Sequence, residues 1–131
     1  MKGALRTFTD ERGSLTVAEV GRELPFAVQR AYWIYDVPEG KERGKHANIC
    51  TYQYLVAVKG CVRISTENAQ GKEMHILDSP QKGLLIPPLT WNELLTFSPD
   101  AVLLVLSSRP YDEGTYINSY EEFKNKIAVA K

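Results

Sequence analysis

The chain carries two histidines, His46 and His75, in unlike surroundings. His46 closes the run Gly40-Lys-Glu-Arg-Gly-Lys-His46, a loop punctuated by glycines, with Arg43 beside Gly44. An imidazole so placed can take a proton and return it, because its pKa lies near working pH. Arg43 offers a guanidinium fork suited to diphosphate oxygens, or else is a solvated loop cation. Arg30 opens the apolar and aromatic segment Arg30-Ala-Tyr-Trp-Ile-Tyr-Asp36. Burying its charge unpaired would be costly, so it either faces an anionic ligand or pairs with a carboxylate such as Asp36 or Glu19. On a strand Tyr32 and Tyr35 point to opposite faces, and Trp33 shares a face with Tyr35. A pocket for a base or sugar ring needs one or two such aromatics with polar tips. His75 lies in the alternating segment Lys72-Glu-Met-His-Ile-Leu with no motif around it, and is expected to be structural or solvent-facing.

The elements that must carry these groups are short strands. Segments rich in aromatic or β-branched residues run at Arg30–Asp36, Tyr52–Val58, Cys61–Thr66 and Glu73–Leu77, bounded by Pro38-Glu-Gly, Lys59-Gly, Glu67-Asn-Ala-Gln-Gly and Asp78-Ser-Pro. Phe8 to Val20 is predicted to form two strands around a turn at Asp10 to Gly13. Gly83-Leu-Leu-Ile-Pro and Ala101-Val-Leu-Leu-Val-Leu-Ser are continuous apolar runs, consistent with strands buried on both sides. Strands this short, spaced by glycine and proline, fit a closed barrel or sandwich better than a parallel α/β sheet. Helical spacing occurs only at the end, over Ile117 to Ile127, with Ser119 and Glu122 as a capping pair. The expected fold is an all-β jelly roll with one short C-terminal helix, a single domain over residues 1–131.

Composition narrows the partners. The 131 residues include 16 basic and 16 acidic side chains, so the balance points away from nucleic acid and membrane surfaces and toward a small molecule or protein. The first residues lack an apolar run of signal-peptide length, and no segment approaches the roughly 18 apolar residues that span a bilayer, so the expected location is the cytoplasm. Cys50 and Cys61 form no disulfide framework or zinc-ribbon pattern and are expected to be small buried hydrophobes. Asp112 and Glu113 either orient His46 or start a turn, and the turn is preferred. Trp91 is either a pocket wall or rim packing.

Gly40 to Gln53, followed by an apolar strand to Gly60, resembles the first motif of a cupin β-barrel, and Gly83-Leu-Leu-Ile-Pro-Pro-Leu-Thr-Trp91-Asn92 resembles the second. Where metal-binding cupins place three His and a Glu, this chain has His46, Asn48, Gln53 and Asn92. One imidazole and three amides suit zinc, iron or manganese poorly, so no metal and no other cofactor is expected. If His46 and Gln53 both line the pocket, their odd spacing of seven requires a bend or bulge.

A narrower resemblance is carried by Asp10-Glu-Arg-Gly-Ser-Leu15, Arg30 to Asp36, Arg43-Gly-Lys-His-Ala47, Leu77-Asp-Ser-Pro80, Pro87-Pro-Leu-Thr-Trp91 and Tyr111-Asp-Glu-Gly-Thr-Tyr-Ile117. These six elements, in order, resemble the cupin-fold sugar 3,4-ketoisomerases that act on TDP-4-keto-6-deoxyglucose. The resemblance implies a metal-independent shift of a keto group from C4 to C3, feeding synthesis of 3-amino-3,6-dideoxy sugars for surface polysaccharide. It also implies a homodimer whose N-terminal strands are exchanged, so that Arg12 reaches the partner's barrel. The family's Arg-Gly-x-His-Ala-His becomes Arg-Gly-Lys-His46-Ala-Asn48 here. His46 is accordingly the expected proton-transfer base, with Asn48 in the place of its partner. An amide there hydrogen-bonds an enediolate oxygen but accepts no proton at neutral pH. The expected substrate contacts are Arg30 and Arg43 to the diphosphate, Arg12 and Asn92 to the hexose, and Gln53 with a Tyr such as Tyr32 to the enediolate. In the family the residue matching Asn92 is His in galacto-producing members and Arg in gluco-producing ones, and Asn92 matches neither. A sugar-nucleotide-binding cupin without catalysis, and a single-centre epimerase using one His, are the alternatives.

Overall fold

The computed structural model describes residues 2–130, with side chains from residue 3 to residue 128. Among these residues twelve strands and one α-helix follow in chain order, with a 3-10 turn at Glu113–Thr115 before the last strand. They are β1 (Lys2–Ala4), β2 (Arg6–Asp10), β3 (Gly13–Val17), β4 (Arg30–Tyr35), β5 (Arg43–Asn48), β6 (Gln53–Lys59), β7 (Val62–Asn68), β8 (Gly71–Leu77), β9 (Lys82–Ile86), β10 (Trp91–Phe97), β11 (Val102–Ser107), β12 (Tyr116–Ile117) and α1 (Tyr120–Ala130). Two five-stranded antiparallel sheets form the barrel, ordered β1-β9-β6-β11-β4 and β12-β5-β10-β7-β8. From β4 onward the chain changes sheet at every step except the β7–β8 hairpin, so β5 and β6 lie in different sheets. This is the expected jelly roll.

Leu55, Ile64, Leu77, Leu84, Leu103 and Val105 fill the space between the sheets. The two continuous apolar runs are indeed covered on both faces. From them, Leu84, Leu103 and Val105 point into this core, while Leu85 and Leu106 join a second cluster around Leu5, Leu24, Tyr54 and Val56. A third cluster seats the helix, where Phe123 and Ile127 pack on Ala47, Trp91 and Ile117. Each large apolar side chain so buried is worth about 1.5–3 kcal/mol, which holds an 11-residue helix too short to persist alone.

The helix begins later than its spacing predicts, because Ile117 is used as a strand residue in β12. Ser119 caps it, accepting from the Glu122 backbone N–H at 3.2 Å. Polar bonds add to the seat: the Tyr120 hydroxyl donates to Glu67 at 2.8 Å, and Lys124 Nζ lies 3.1 Å from the same carboxylate. The N-terminal hairpin of β2 and β3 pairs only with itself, in register from Arg6↔Val17 to Asp10↔Gly13. Its base is fixed by an ion pair between Arg6 and Glu23, which draws the Glu23 carboxyl down to about 2. The two cysteines correct the expectation set for them: Cys50 is exposed and Cys61 half-buried. Both stand in connections between strands rather than within them.

Candidate active site

Between the sheets, at one end of the barrel, lies a cavity of about 410 Å³. From the first sheet β4 contributes Arg30, Tyr32 and Ile34, β6 contributes Gln53 and Leu55, and β11 contributes Val105. From the second, β5 contributes Arg43 and His46, and β10 contributes Asn92 and Leu94. The volume is that of an ordinary small-ligand site. Among the described residues its lining holds two guanidiniums, one imidazole and no carboxylate.

Strand alternation explains β4. Arg30, Tyr32 and Ile34 turn inward, whereas Trp33 and Tyr35 face outward and are exposed. Alternation fails on β5, where Arg43 and His46 are three residues apart and both line the cavity. A bulge reconciles them. His46 pairs with Asn92 and Gly44 with Glu93, so two steps on β5 oppose one on β10, and Lys45 is the extra residue. Gly44 (φ +85°) and Lys45 (φ +60°) both take the left-handed region. A Cβ on Gly44 would also lie 3.1 Å from the Asn92 carbonyl oxygen and 3.2 Å from its Oδ1, so glycine is required twice over. The seven-residue spacing of His46 and Gln53 needs no bulge of its own, because the two stand on facing sheets.

Two ionisable groups of the lining are shifted in opposite directions. Burial pushes the His46 pKa below its ordinary value, against a smaller opposing pull from the Gly44 carbonyl, so the ring is neutral at pH 7. Burial pushes the Tyr32 hydroxyl up, so it stays protonated. That hydroxyl accepts from Gln53 Nε2 at 3.3 Å. Asn92 Nδ2 donates to the His46 backbone carbonyl at 3.3 Å, joining the paired strands β5 and β10 at the bulge. The Arg30 guanidinium is held between rings, 4.3 Å from the Tyr32 centroid and 5.1 Å from that of Tyr111.

Six of the residues expected from sequence are thus brought together: His46, Arg30, Tyr32, Arg43, Gln53 and Asn92. Asn48 is not among them. Its backbone pairs with Tyr116 of β12, and its Oδ1 faces the Thr115 hydroxyl at 3.5 Å, so its amide serves the segment that borders β5. Arg12 also stands outside this cavity, exposed at the tip of the β2–β3 hairpin and bonded to Asp10 at 2.6 Å. Trp91 resolves as packing: it is buried against Tyr120 and Phe123, with its indole N–H on Glu93. Asp112 resolves as turn chemistry, capping the Gly114 N–H at 3.1 Å. His75 is buried and structural, with Nε2 2.8 Å from the Thr66 hydroxyl.

Two aromatics were not singled out from sequence. Tyr116 meets the His46 ring edge-on, with centroids 4.9 Å apart and planes at 79°. Tyr111 lies 5.7 Å from Tyr116 and reaches Arg30 on its other side. Both belong to Tyr111-Asp-Glu-Gly-Thr-Tyr-Ile117, an irregular stretch whose recurrence as a unit was the only signal they gave.

Fold and lining define a class: a cupin-type jelly roll whose lumen sets a neutral imidazole and a protonated phenol beneath two guanidiniums. The chain belongs to the WxcM-like, C-terminal family (FdtA), whose model matches residues 3–128. It is 40% identical over 119 residues, 91% of this chain and 86% of the relative, to a TDP-4-oxo-6-deoxy-α-D-glucose-3,4-oxoisomerase of Aneurinibacillus thermoaerophilus. Among solved structures it resembles QdtA, a sugar 3,4-ketoisomerase of Thermoanaerobacterium thermosaccharolyticum in complex with TDP. That match has a TM-score of 0.94 and 32% identity, and covers 99% of this chain and 95% of that one. A single-residue mutant of QdtA in complex with TDP-4-keto-6-deoxyglucose matches with a TM-score of 0.94 and 31% identity, over 98% of this chain and 94% of that one.

Proposed function

We propose that this cavity interconverts a TDP-linked 4-keto-6-deoxyhexose and its 3-keto isomer. The chain is a sugar 3,4-ketoisomerase in the family's sense, and His46 is its base. His46 removes the carbon-bound proton at C3, giving an enediolate over C3 and C4. A proton then added at C4, with the hydroxyl proton passing from O3 to O4, completes a shift that needs no redox partner. The observation that carries this reading is the pairing of a neutral His46 with a protonated Tyr32 in one cavity. Tyr32, steadied by Gln53, is the available acid or enediolate donor, which supplies what Asn48 does not. The donor set of one imidazole and amides favours chemistry by side chains over a bound transition metal. Arg30 and Arg43 take the diphosphate, and Asn92 contacts the hexose.

The working form is a cytoplasmic homodimer, each chain acting as one domain, in the making of 3-amino-3,6-dideoxy sugars for surface polysaccharide. Two surfaces support the dimer. β4 is a sheet edge carrying exposed Trp33 and Tyr35, and the self-paired hairpin carries exposed Phe8 and Leu15 directly opposite each other. Exchange of that hairpin would cover both and bring Arg12 to the partner's cavity. Sedimentation should give a dimer that is lost when residues 1–11 are deleted. A stable monomer indifferent to that deletion would remove the exchange and leave the chemistry to be judged separately.

The chemistry is tested by incubating the protein with TDP-4-keto-6-deoxyglucose in deuterated water and following C3 by NMR. Deuterium entry at C3 with appearance of the 3-keto isomer is expected. Binding without exchange would replace the isomerase with a sugar-nucleotide-binding protein.

A further inference from the structure

The segment between β11 and α1 is fixed to an unusual degree for a loop that bears an aromatic on the site. Asp112 caps the turn through Gly114, its carbonyl accepts from the Thr115 N–H at 3.0 Å, and the Thr115 hydroxyl returns to that carbonyl at 2.7 Å. The Thr115 carbonyl accepts from the Ile49 N–H at 2.9 Å. On the other side of Tyr116, Ile117 is buried in the cluster that seats α1. Tyr116 itself pairs with Asn48 on the free edge of β5. The backbone is therefore anchored before, at and after Tyr116, and its ring is delivered edge-on to the imidazole of His46.

We propose that Tyr116 is a positioning residue for proton transfer: pinned to the edge of β5, its ring fixes the plane of the His46 imidazole and closes that side of the cavity to water. The inference rests on His46 being the base of the reaction proposed above. It also gives Asn48 a role, as a residue of the seat that holds Tyr116. An imidazole can abstract a carbon-bound proton only when its free nitrogen points along that bond, and a misplacement of about 1 Å can cost roughly 10²-fold. Within the lining the imidazole's polar anchor is the Gly44 carbonyl of its own strand, and the ring contact that fixes its plane comes from Tyr116. Arg43 comes from the same strand, Arg30 and Tyr32 from β4 and Gln53 from β6, while β10 contacts His46 through the Asn92 bond to its backbone carbonyl. No carboxylate lines the cavity to orient the imidazole or stabilise its protonated form. Through Tyr111 the same ring is linked to Arg30, so the base and the anion-binding wall share one support.

Three variants test it: Tyr116→Phe, Tyr116→Leu and Tyr116→Ala. The chain has only two histidines, so their imidazoles can be followed individually by NMR with labelled histidine, with His75→Gln assigning the second. Tyr116→Phe keeps the ring and should titrate at His46 and turn over as the wild type does. Tyr116→Leu should lose roughly 10- to 100-fold in kcat with KM nearly unchanged, because apolar bulk remains but orientation does not. Tyr116→Ala admits water, so the His46 titration and the acid limb of kcat/KM should both move up toward the ordinary imidazole value. A side chain that served packing alone would lower the thermal midpoint without moving the titration. The proposal is overturned if Tyr116→Leu retains wild-type kcat, if Tyr116→Phe behaves as Tyr116→Leu does, or if Tyr116→Ala folds and leaves the His46 titration in place. Should the wild type exchange no proton at C3, the isomerase reading fails. The titrations still decide whether Tyr116 shields the ring.

Discussion

His46 and His75 both stand on strands of the β12-β5-β10-β7-β8 sheet, yet one is at a cavity and the other is closed off. β7 and β8 pair in unbroken register from Val62↔Leu77 to Asn68↔Gly71, and His75, beneath Thr66, is a buried part of that ladder. β5 and β10 pair with a slip at Lys45, and the bulge turns Arg43 and His46 to the same space. The difference teaches that the regular region consumes its imidazole in hydrogen bonding. The irregular one releases an imidazole for chemistry, at the cost of two consecutive left-handed residues.

The comparison is broken most directly by deleting each ring. His46→Asn should reduce C3 deuterium exchange by about 10²–10⁴-fold while TDP still binds, since a general base contributes about that much. His75→Asn should leave exchange near wild type and instead lower stability by about 1–3 kcal/mol, the cost of disturbing a buried polar pair. Equal losses of exchange from both would end the distinction.

Next in size are the glycines of the two regions. Gly44→Ala must hold a positive φ and press on Asn92 at 3.1 Å, so it should cost about 1–3 kcal/mol and displace His46 enough to depress turnover. Gly71, in the β7–β8 turn, also has a positive φ (+135°), but a Cβ there meets nothing within 4 Å. Gly71→Ala should register in the melting temperature and not in kcat.

A pH series sharpens the contrast further. Because burial lowers the folded pKa of His46 below its unfolded value, the unfolded chain takes up that proton more readily as pH falls. The stability this group contributes is therefore present above the unfolded pKa, near 6.5. It is lost as pH drops from there through the lowered folded value. The rate follows the same direction: kcat/KM should be flat near neutrality and fall on an acid limb below about pH 6.5, where the base becomes protonated. That limb should vanish in His46→Asn and persist in His75→Asn. The smallest effect is expected from Thr66→Val, which removes the hydroxyl at His75. A loss of about 0.5–1.5 kcal/mol with unchanged turnover is the expected result, read by chemical denaturation.

Much of this arrangement was legible before any coordinates. Aromatic and β-branched enrichment, continuous apolar runs and turn residues define most of the barrel strands to within a residue or two. Arg30, Tyr32 and His46 stand out as a charge and a polar-tipped aromatic on an apolar strand and an imidazole after a glycine loop, whereas Arg43, Gln53 and Asn92 are gathered only with the family resemblance. Alternation places Asn48 with His46, and nothing local tells that Thr115, at the approach to β12, returns across 67 residues to border it. Tyr111 and Tyr116 escaped because their stretch has no period to read. Ile117, three residues before Tyr120, completes a helical spacing while serving as a strand. The cysteines are expected to be buried, but each lies just outside a strand, where burial is not enforced.

The cavity's two guanidiniums, with no carboxylate beside them, also bear on the direction of flow. A keto shift leaves the diphosphate untouched, so the grip proposed for Arg30 and Arg43 would be the same on what enters and what leaves. Binding of that uniform kind lowers KM without favouring either side of the reaction. The two isomers should therefore compete for the barrel on nearly equal terms, and accumulated product should slow the enzyme by occupancy. Net throughput then depends on a following step that draws the 3-keto sugar away, such as attack of an amine on its carbonyl.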